Sequence, residues 1–416
     1  MSGVTGTGRD RFAVWELEQH GERVAIGDWL VTDAERAAAG RETVAARSRG
    51  LLPGNRERAA RQYADGGLPD DQDLLRVWFP RDAAALEAKL AGRPLAAWAQ
   101  DGVLHVLWRG DADQASLAGG IQLPLWPVDG ADRLWEASAR VRGLDEALIS
   151  LSVAAIGAGD TPLGQPLGEP FVFRGHRAPV LPQDRTLAGE LHEHVLESAA
   201  LGAARGVTVY VPPGAGSAPL PACALADGQS VPSFAPALEA AILAGTTPPA
   251  VLVGVHSAAA SDPARPPKAD LRGLEYLPQW RSRRFAAHLS FVTDEVVPWA
   301  ARRFPVSPGP WLAAGFSNGA AWAITAGQRR PDVFGGVAAL SPGTVPSRVA
   351  RGSRPVRHYL AAGRLEPGFR QATRQWAARL ERSGMAFAHA EWAGGHDDAW
   401  WRAQLPVAIA WLLASR

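Results

Sequence analysis

Two textures of hydrophobic patterning divide the chain. From about residue 74 to residue 155 the apolar positions come in short runs separated by Gly, Asp and Pro: LLRVWFP, PLAAWAQDG, VLHVLWRG, ASLAGG, LWEASARV and ALISLSVAA. Short strands at regular spacing, bounded by turn residues, predict a β-sandwich. After about residue 200 the runs GVTVYVPP, PACALADG, AVLVGVHS, PWLAAGFS, GGVAALSP and VRHYLAAG are apolar almost throughout. Helical patterns lie between or after them: SFAPALEAAILAG, FAAHLSFVTDEVVPWAARRF, AAWAITAGQRR, FRQATRQWAARLERSG and LPVAIAWLLAS. A strand without polar alternation is covered on both faces, and strands that alternate with helices build a mostly parallel sheet. The stretch DTPLGQPLGEP between the two textures has no hydrophobic period and reads as a linker. The expected organisation is an N-terminal segment of no assigned role over 1–70, a sandwich over 71–160, a linker over 161–170 and an α/β domain over 171–416. The first 65 or so residues, as in DAERAAAGRETVAARSRG, mix Arg, Ala and Glu without a clear period and read as short helices or partly ordered chain.

Composition narrows the partners. With 416 residues, the chain is longer than one core usually organises, and 47% hydrophobic with 20% charged residues is an ordinary globular balance. A formal charge of +1 gives no electrostatic reason to expect nucleic acid. No uncharged apolar stretch is long enough to cross a bilayer, and MSGVTGTGRDRFAVWELEQHGERV lacks the apolar centre of a signal peptide, so the expectation is a cytoplasmic protein with no membrane partner. The single cysteine, Cys223, excludes an intrachain disulfide and a CxxC pair; within PACALADG it reads as a buried strand residue.

The sequence GFSNG fits G-x-S-x-G between an apolar strand and a helix. In that turn Gly315 and Gly319 leave room for a sharp bend, Ser317 stands exposed above the sheet, and the helix N-terminus offers N–H groups to a developing oxyanion. A serine hydroxyl needs a base, and His396 in EWAGGHDDAWW follows the last strand candidate, in the order Ser, acid, His. Glu366 in AAGRLEPG is the chosen orienting acid, with Asp397 and Asp398 as alternatives. Oxyanion donors are expected from Asn318 and from Gly228 or Gln229 in LADGQSV. His192 and His194 in GELHEHVLES share one strand face at a spacing of two, without the further ligands a metal would need.

These motifs resemble the enterochelin-esterase branch of the α/β-hydrolases: VTVYVPPG, ALADGQS, DLRGLEYLP, FVTDEVVPW, GFSNGAAWA and GGHDDAWW occur in that order. The stretch VLHVLWRGDADQASLAGG with DRLWEASARV resembles that branch's N-terminal immunoglobulin-like sandwich. The resemblance spans roughly 74–416. It implies an α/β-hydrolase sheet behind a sandwich, Ser317 as nucleophile, His396 as base, and ester or lactone bonds of a ferric catecholate siderophore as substrate. No metal or organic cofactor is implied, since iron would arrive with the substrate.

The loop after AVLVGVHS carries Arg265, Lys268, Arg272, Arg281, Arg283 and Arg284 against Asp262, Asp270 and Glu275. That excess attracts an anion unless the charges pair among themselves. Arg272, Arg265, Trp280 and Trp400 are the candidate substrate contacts, the tryptophans as stacking surfaces or packing. Of the sandwich tryptophans Trp98, Trp108, Trp126 and Trp135, two or three are expected in the core. A feruloyl or acetyl-xylan esterase and an acyltransferase use the same machinery, and a non-catalytic binding protein on the hydrolase fold is the reading from another class.

Overall fold

Alternation of side chains along each strand sets up the first core. The computed structural model describes residues 55–112, 114–156, 166–182, 186–216, 218–258, 271–280, 283–350 and 355–414, and before them three strands, β1 (Val4–Thr5), β2 (Phe12–Gln19) and β3 (Glu22–Leu30), in one antiparallel sheet. The helical reading of the first 65 residues is therefore corrected in part. FAVWELEQ pairs as a strand and Asn55–Ala64 form a helix, α1, while DAERAAAGRETVAARSRG lies outside the described residues.

Strands β4 (Leu74–Val77), β5 (Leu95–Gln100), β6 (Val103–Arg109), β7 (Gln114–Gly119), β8 (Trp126–Pro127), β9 (Leu134–Val141), β10 (Leu148–Ile156) and β11 (Pro166–Arg174) make two antiparallel sheets. One runs β4-β9-β6-β5, with β8 against β9, and the other β11-β10-β7. Every second residue points into one core: Trp135, Ala137, Ala139 and Val141 from β9, and Ile149, Leu151, Val153 and Ala155 from β10. On the other face of the larger sheet His105, Glu136 and Ser138 meet Arg81, which donates to Ser138 Oγ at 2.7 Å and to Glu136 at 3.3 Å. A second helix, α2 (Ala83–Leu90), is capped by Asp82, whose carboxylate accepts from Ala85 N–H at 3.1 Å. Trp108, Trp126 and Trp135 are buried and Trp98 half-buried.

The boundary read from DTPLGQPLGEP moves. Residues 166–174 are strand β11, paired with β10, so the sandwich extends beyond 160 and the α/β part does not begin at 171. The first compact unit comprises Met1–Pro179 with Gly363–Gly368 and Trp392–Trp400. Gly and Pro mislead here because Pro166 and Pro170 stand in the unit's outer strand, where a missing N–H is tolerated. Residues 161–165 of the expected linker lie outside the described residues.

The second unit comprises Val180–Ala362, Phe369–Glu391 and Trp401–Arg416. Its sheet holds β12 (Glu190–Ser198), β13 (Ala203–Val211), β14 (Ala222–Ala226), β15 (Val251–Val255), β16 (Trp311–Phe316), β17 (Phe334–Leu340), β18 (Arg357–Gly363) and β19 (Phe387–Trp392) in the order β12-β13-β15-β14-β16-β17-β18-β19. The pairs from β15 to β18 are parallel, and β12 and β13 run antiparallel at one edge. As the unbroken apolar runs predict, β14, β15 and β17 are buried at every position. The helices are α3 (Val231–Leu243), α4 (Leu271–Tyr276), α5 (Arg283–Ser290), α6 (Val297–Arg303), α7 (Asn318–Arg329), α8 (Pro367–Arg382) and α9 (Asp398–Leu413). The helix expected over FAAHLSFVTDEVVPWAARRF is broken by π-helical turns at Phe291–Val296 just before Pro298, which has no N–H to donate to the preceding turn. His192 and His194 share a face of β12 and pack on Phe304, with Trp299 against His194; no metal-ligand cluster exists among the described residues. Cys223 is buried in β14, which pushes its thiol up to about 12.

Burial of histidines links this fold to pH. Desolvation lowers His105 in the first unit to about 3, and His288 and His358 in the second to about 4 and about 3. All three stay neutral in the fold while the unfolded chain binds protons below its ordinary value near 6.5, so stability is full above that pH and falls as the pH drops toward 4. The loss is on the order of 1–2 kcal/mol per histidine at pH 5. The buried carboxyls of Glu136 and Asp397 are raised by desolvation and partly offset it. Thermal melts are expected to shift down by several degrees between pH 7.5 and pH 5; a flat profile would contradict this account.

Candidate active site

Strand β16 ends at Phe316, and the chain turns into α7 one residue later. Ser317 occupies the corner with φ 55° and ψ −127°, a conformation that costs a non-glycine residue about 1–3 kcal/mol. The corner is closed by a Ser317 N–H bond to Leu340 O at 3.0 Å. Gly315 is obligatory, because a Cβ there would lie 2.3 Å from the carbonyl carbon and oxygen of Gly319. Phe316 is clamped between Phe234 and Trp401, with ring centroids 5.5 and 4.6 Å away, and Trp401 Nε1 donates to Ser341 Oγ at 2.9 Å. Helix α7 is buried continuously from Gly319 to Gly327, so the whole lever behind the serine is rigid.

The same unit holds the two turns expected to supply oxyanion donors. Asn318 opens α7, and Gly228 and Gln229 open a 3-10 turn, Gly228–Ser230, that leads into α3. The first N–H groups of such turns have no partner inside the helix, which is the property an oxyanion site needs. Gln229 is fixed by its side chain, donating to Ser257 Oγ at 3.0 Å and accepting from Ser257 N–H at 3.2 Å. Ahead of the turn Asp227 is buried with φ 59°, and its N–H donates to the Tyr276 hydroxyl at 2.9 Å.

Arg272, expected to meet an anionic substrate, is committed elsewhere. Its Nε and Nη2 donate to the two carboxylate oxygens of Asp227, both at 2.7 Å, and its guanidinium lies 5.3 Å from the Tyr276 ring centroid. A buried carboxylate requires a charge partner, and that requirement takes the arginine. Trp400 is likewise corrected: it is 5% exposed, stacks on Trp392 and donates to Ala393 O at 3.0 Å, so it packs rather than offering a stacking surface. Arg265 lies outside the described residues, as does the side chain of Trp280.

The first unit holds the histidine and its acid. Gly363–Gly368 and Trp392–Trp400 run from the last residues of β18 and β19 into the first turns of α8 and α9. They are joined by Arg364 N–H to Trp392 O and Leu365 N–H to Gly394 O, both 2.9 Å. His396 Nδ1 lies 2.7 Å from Glu366 Oε2, and Glu366 Oε1 accepts from Gly363 N–H at 2.6 Å. The glutamate side chain is 3% exposed and the histidine 26%, so the acid is sequestered while the ring keeps access to solvent. A carboxylate only accepts, so Nδ1 carries the proton and the basic lone pair sits on Nε2. Asp397 and Asp398 do not take this place. Asp397 is buried against Ser150, and Asp398 is exposed. Sequence reading missed the Asp227–Arg272 pair and the Asp397–Ser150 contact, whose partners lie 45 and 247 positions apart with no local pattern to betray them.

Comparison with known proteins gives a family model, a curated relative and solved structures. Residues 198–357 match the family model described as "Putative esterase". A curated relative, the Iron(III) enterobactin esterase of Dickeya dadantii (strain 3937), is 30% identical over 223 residues, 46% of this chain and 48% of its own length. The chain thus spans about half the length of that relative. Among solved structures, an enterochelin esterase from Shigella flexneri aligns with a TM-score of 0.60 at 16% identity, over 80% of this chain and 98% of that one. The ferric enterobactin esterase of Salmonella typhimurium aligns with a TM-score of 0.58 at 20% identity, over 78% and 98%. At these identities the structures establish the fold, an α/β-hydrolase type. The family match and the curated relative are what the chain is similar to: an esterase model over 198–357 and, over about half its length, an enterobactin esterase.

Proposed function

We propose that this chain is a serine esterase that opens ester or lactone bonds of a catecholate siderophore, its ferric complex included, by two-step acyl transfer. The observation that carries the reading is the strained serine at the strand-to-helix corner, since a left-handed backbone at a serine is retained where its hydroxyl must stand clear of the sheet. In the first step His396 Nε2 takes the Ser317 hydroxyl proton as Ser317 Oγ attacks the ester carbonyl. Glu366 holds the ring and balances the imidazolium. The oxyanion is met by N–H groups of Asn318 and of Gly228 or Gln229. Collapse releases the alcohol, which receives the proton from His396, and leaves an acyl-serine. Water then repeats the sequence, yielding the carboxylic acid and free Ser317. No step needs a resident metal.

The siderophore substrate is supported by the 30% identity to a protein named Iron(III) enterobactin esterase. The test is a comparison of kcat/KM for ferric enterobactin, a short p-nitrophenyl ester and a feruloylated sugar. The expected result is at least about tenfold preference for the siderophore, as one or two well-placed contacts supply. Preference for the feruloyl ester would keep the mechanism and replace the substrate with a plant-wall ester.

A further inference from the structure

Within the first unit, strand β10 of the sandwich reaches the residue that follows His396. Asp397 is 1% exposed, and its carboxylate accepts from Ser150 N–H at 2.5 Å, Ser150 Oγ at 2.6 Å and Ala399 N–H at 2.9 Å. On the other side of the histidine, Leu148 N–H donates to Ala393 O at 3.2 Å. Between these ties Gly395 runs so close to the sandwich that a Cβ on it would lie 2.1 Å from Gly120 O. The loop carrying the histidine is therefore fastened to β10 both before and after the ring.

We propose that Ser150 and Asp397 are positioning residues for the base: the sandwich strand fixes the loop that aims His396, which makes the sandwich a component of the acid–base apparatus. This rests on the acyl-transfer reading above. A carboxylate that is 1% exposed and held by three donors is a rigid fixture, because each lost bond leaves a buried charge underserved. Helix capping alone does not account for it. Asp397 stands at the head of α9 and caps it through Ala399 N–H, yet two of its three bonds go to a residue 247 positions away in another element.

The discriminating variant is Ser150→Ala, which removes the hydroxyl and leaves the cap in place. In the full chain, hydrolysis of p-nitrophenyl acetate is expected to show kcat lower by about 10–100-fold with KM within about twofold, the cost of a base displaced by a fraction of an ångström. Ser150→Thr, which keeps the hydroxyl, is expected to retain most of the rate, and Asp397→Asn to behave like Ser150→Ala. Phosphonylation of Ser317 by a fluorophosphonate should slow by the same factor as kcat. The proposal is overturned if Ser150→Ala and Asp397→Asn, folded by circular dichroism, keep kcat within twofold of wild type, or if only KM rises. A wild type that neither turns over nor labels at Ser317 would instead remove the acyl-transfer reading on which the proposal stands.

Discussion

Ser317→Ala is expected to reduce ester turnover by about 10³–10⁶-fold while the protein folds as before. The magnitude follows from the role. Without Oγ there is no acyl intermediate, and what remains is the oxyanion donors acting on a bound ester. Folding is expected to survive because alanine has the same Cβ and meets the same left-handed backbone, whose cost is already met by the packing of Phe316 between Phe234 and Trp401. Initial rates on p-nitrophenyl acetate and a thermal melt check both halves. Turnover within tenfold of wild type would remove Ser317 from the chemistry.

Glu366→Gln is expected to lower kcat by about 10²–10⁴-fold with little change in KM. Each glutamate oxygen has a partner, Oε1 accepting from Gly363 N–H at 2.6 Å and Oε2 lying 2.7 Å from His396 Nδ1. An amide has one oxygen for these two donors. If the oxygen stays on Gly363, the NH₂ faces Nδ1 and turns the ring to the tautomer whose Nε2 carries a proton and cannot act as base. Asp398→Asn serves as the comparison, since Asp398 is exposed, and is expected to stay within about threefold. A small effect at Glu366 with a large one at Asp398 would transfer the role of the acid.

What the chain discloses in advance is local. GFSNG predicts a corner because glycine spacing and the change from apolar run to helix are written within a few residues, and the serine backbone is found at that corner. The parallel sheet is legible for the same reason: runs such as ACALA and VLVGV have no polar face to show solvent. What is not legible depends on partners far along the chain. PLGEP contains turn residues, yet it becomes β11 because β10 offers an open edge. Arg272 looks like a cation for a substrate until Asp227, buried 45 positions earlier, takes its Nε and Nη2 donors in a bidentate pair. Trp400 looks like a stacking surface until the Ala393 carbonyl takes its N–H. Asp397, next to the histidine, looks like a candidate acid and is drawn instead to Ser150.

The measurement that bears most directly on the central claim is peptide mass spectrometry after treatment with a fluorophosphonate. The account predicts one phosphonyl adduct, on Ser317, forming about 10³-fold more slowly in His396→Ala because the proton has no acceptor. No adduct, or an adduct on another residue at an unchanged rate in His396→Ala, would contradict it.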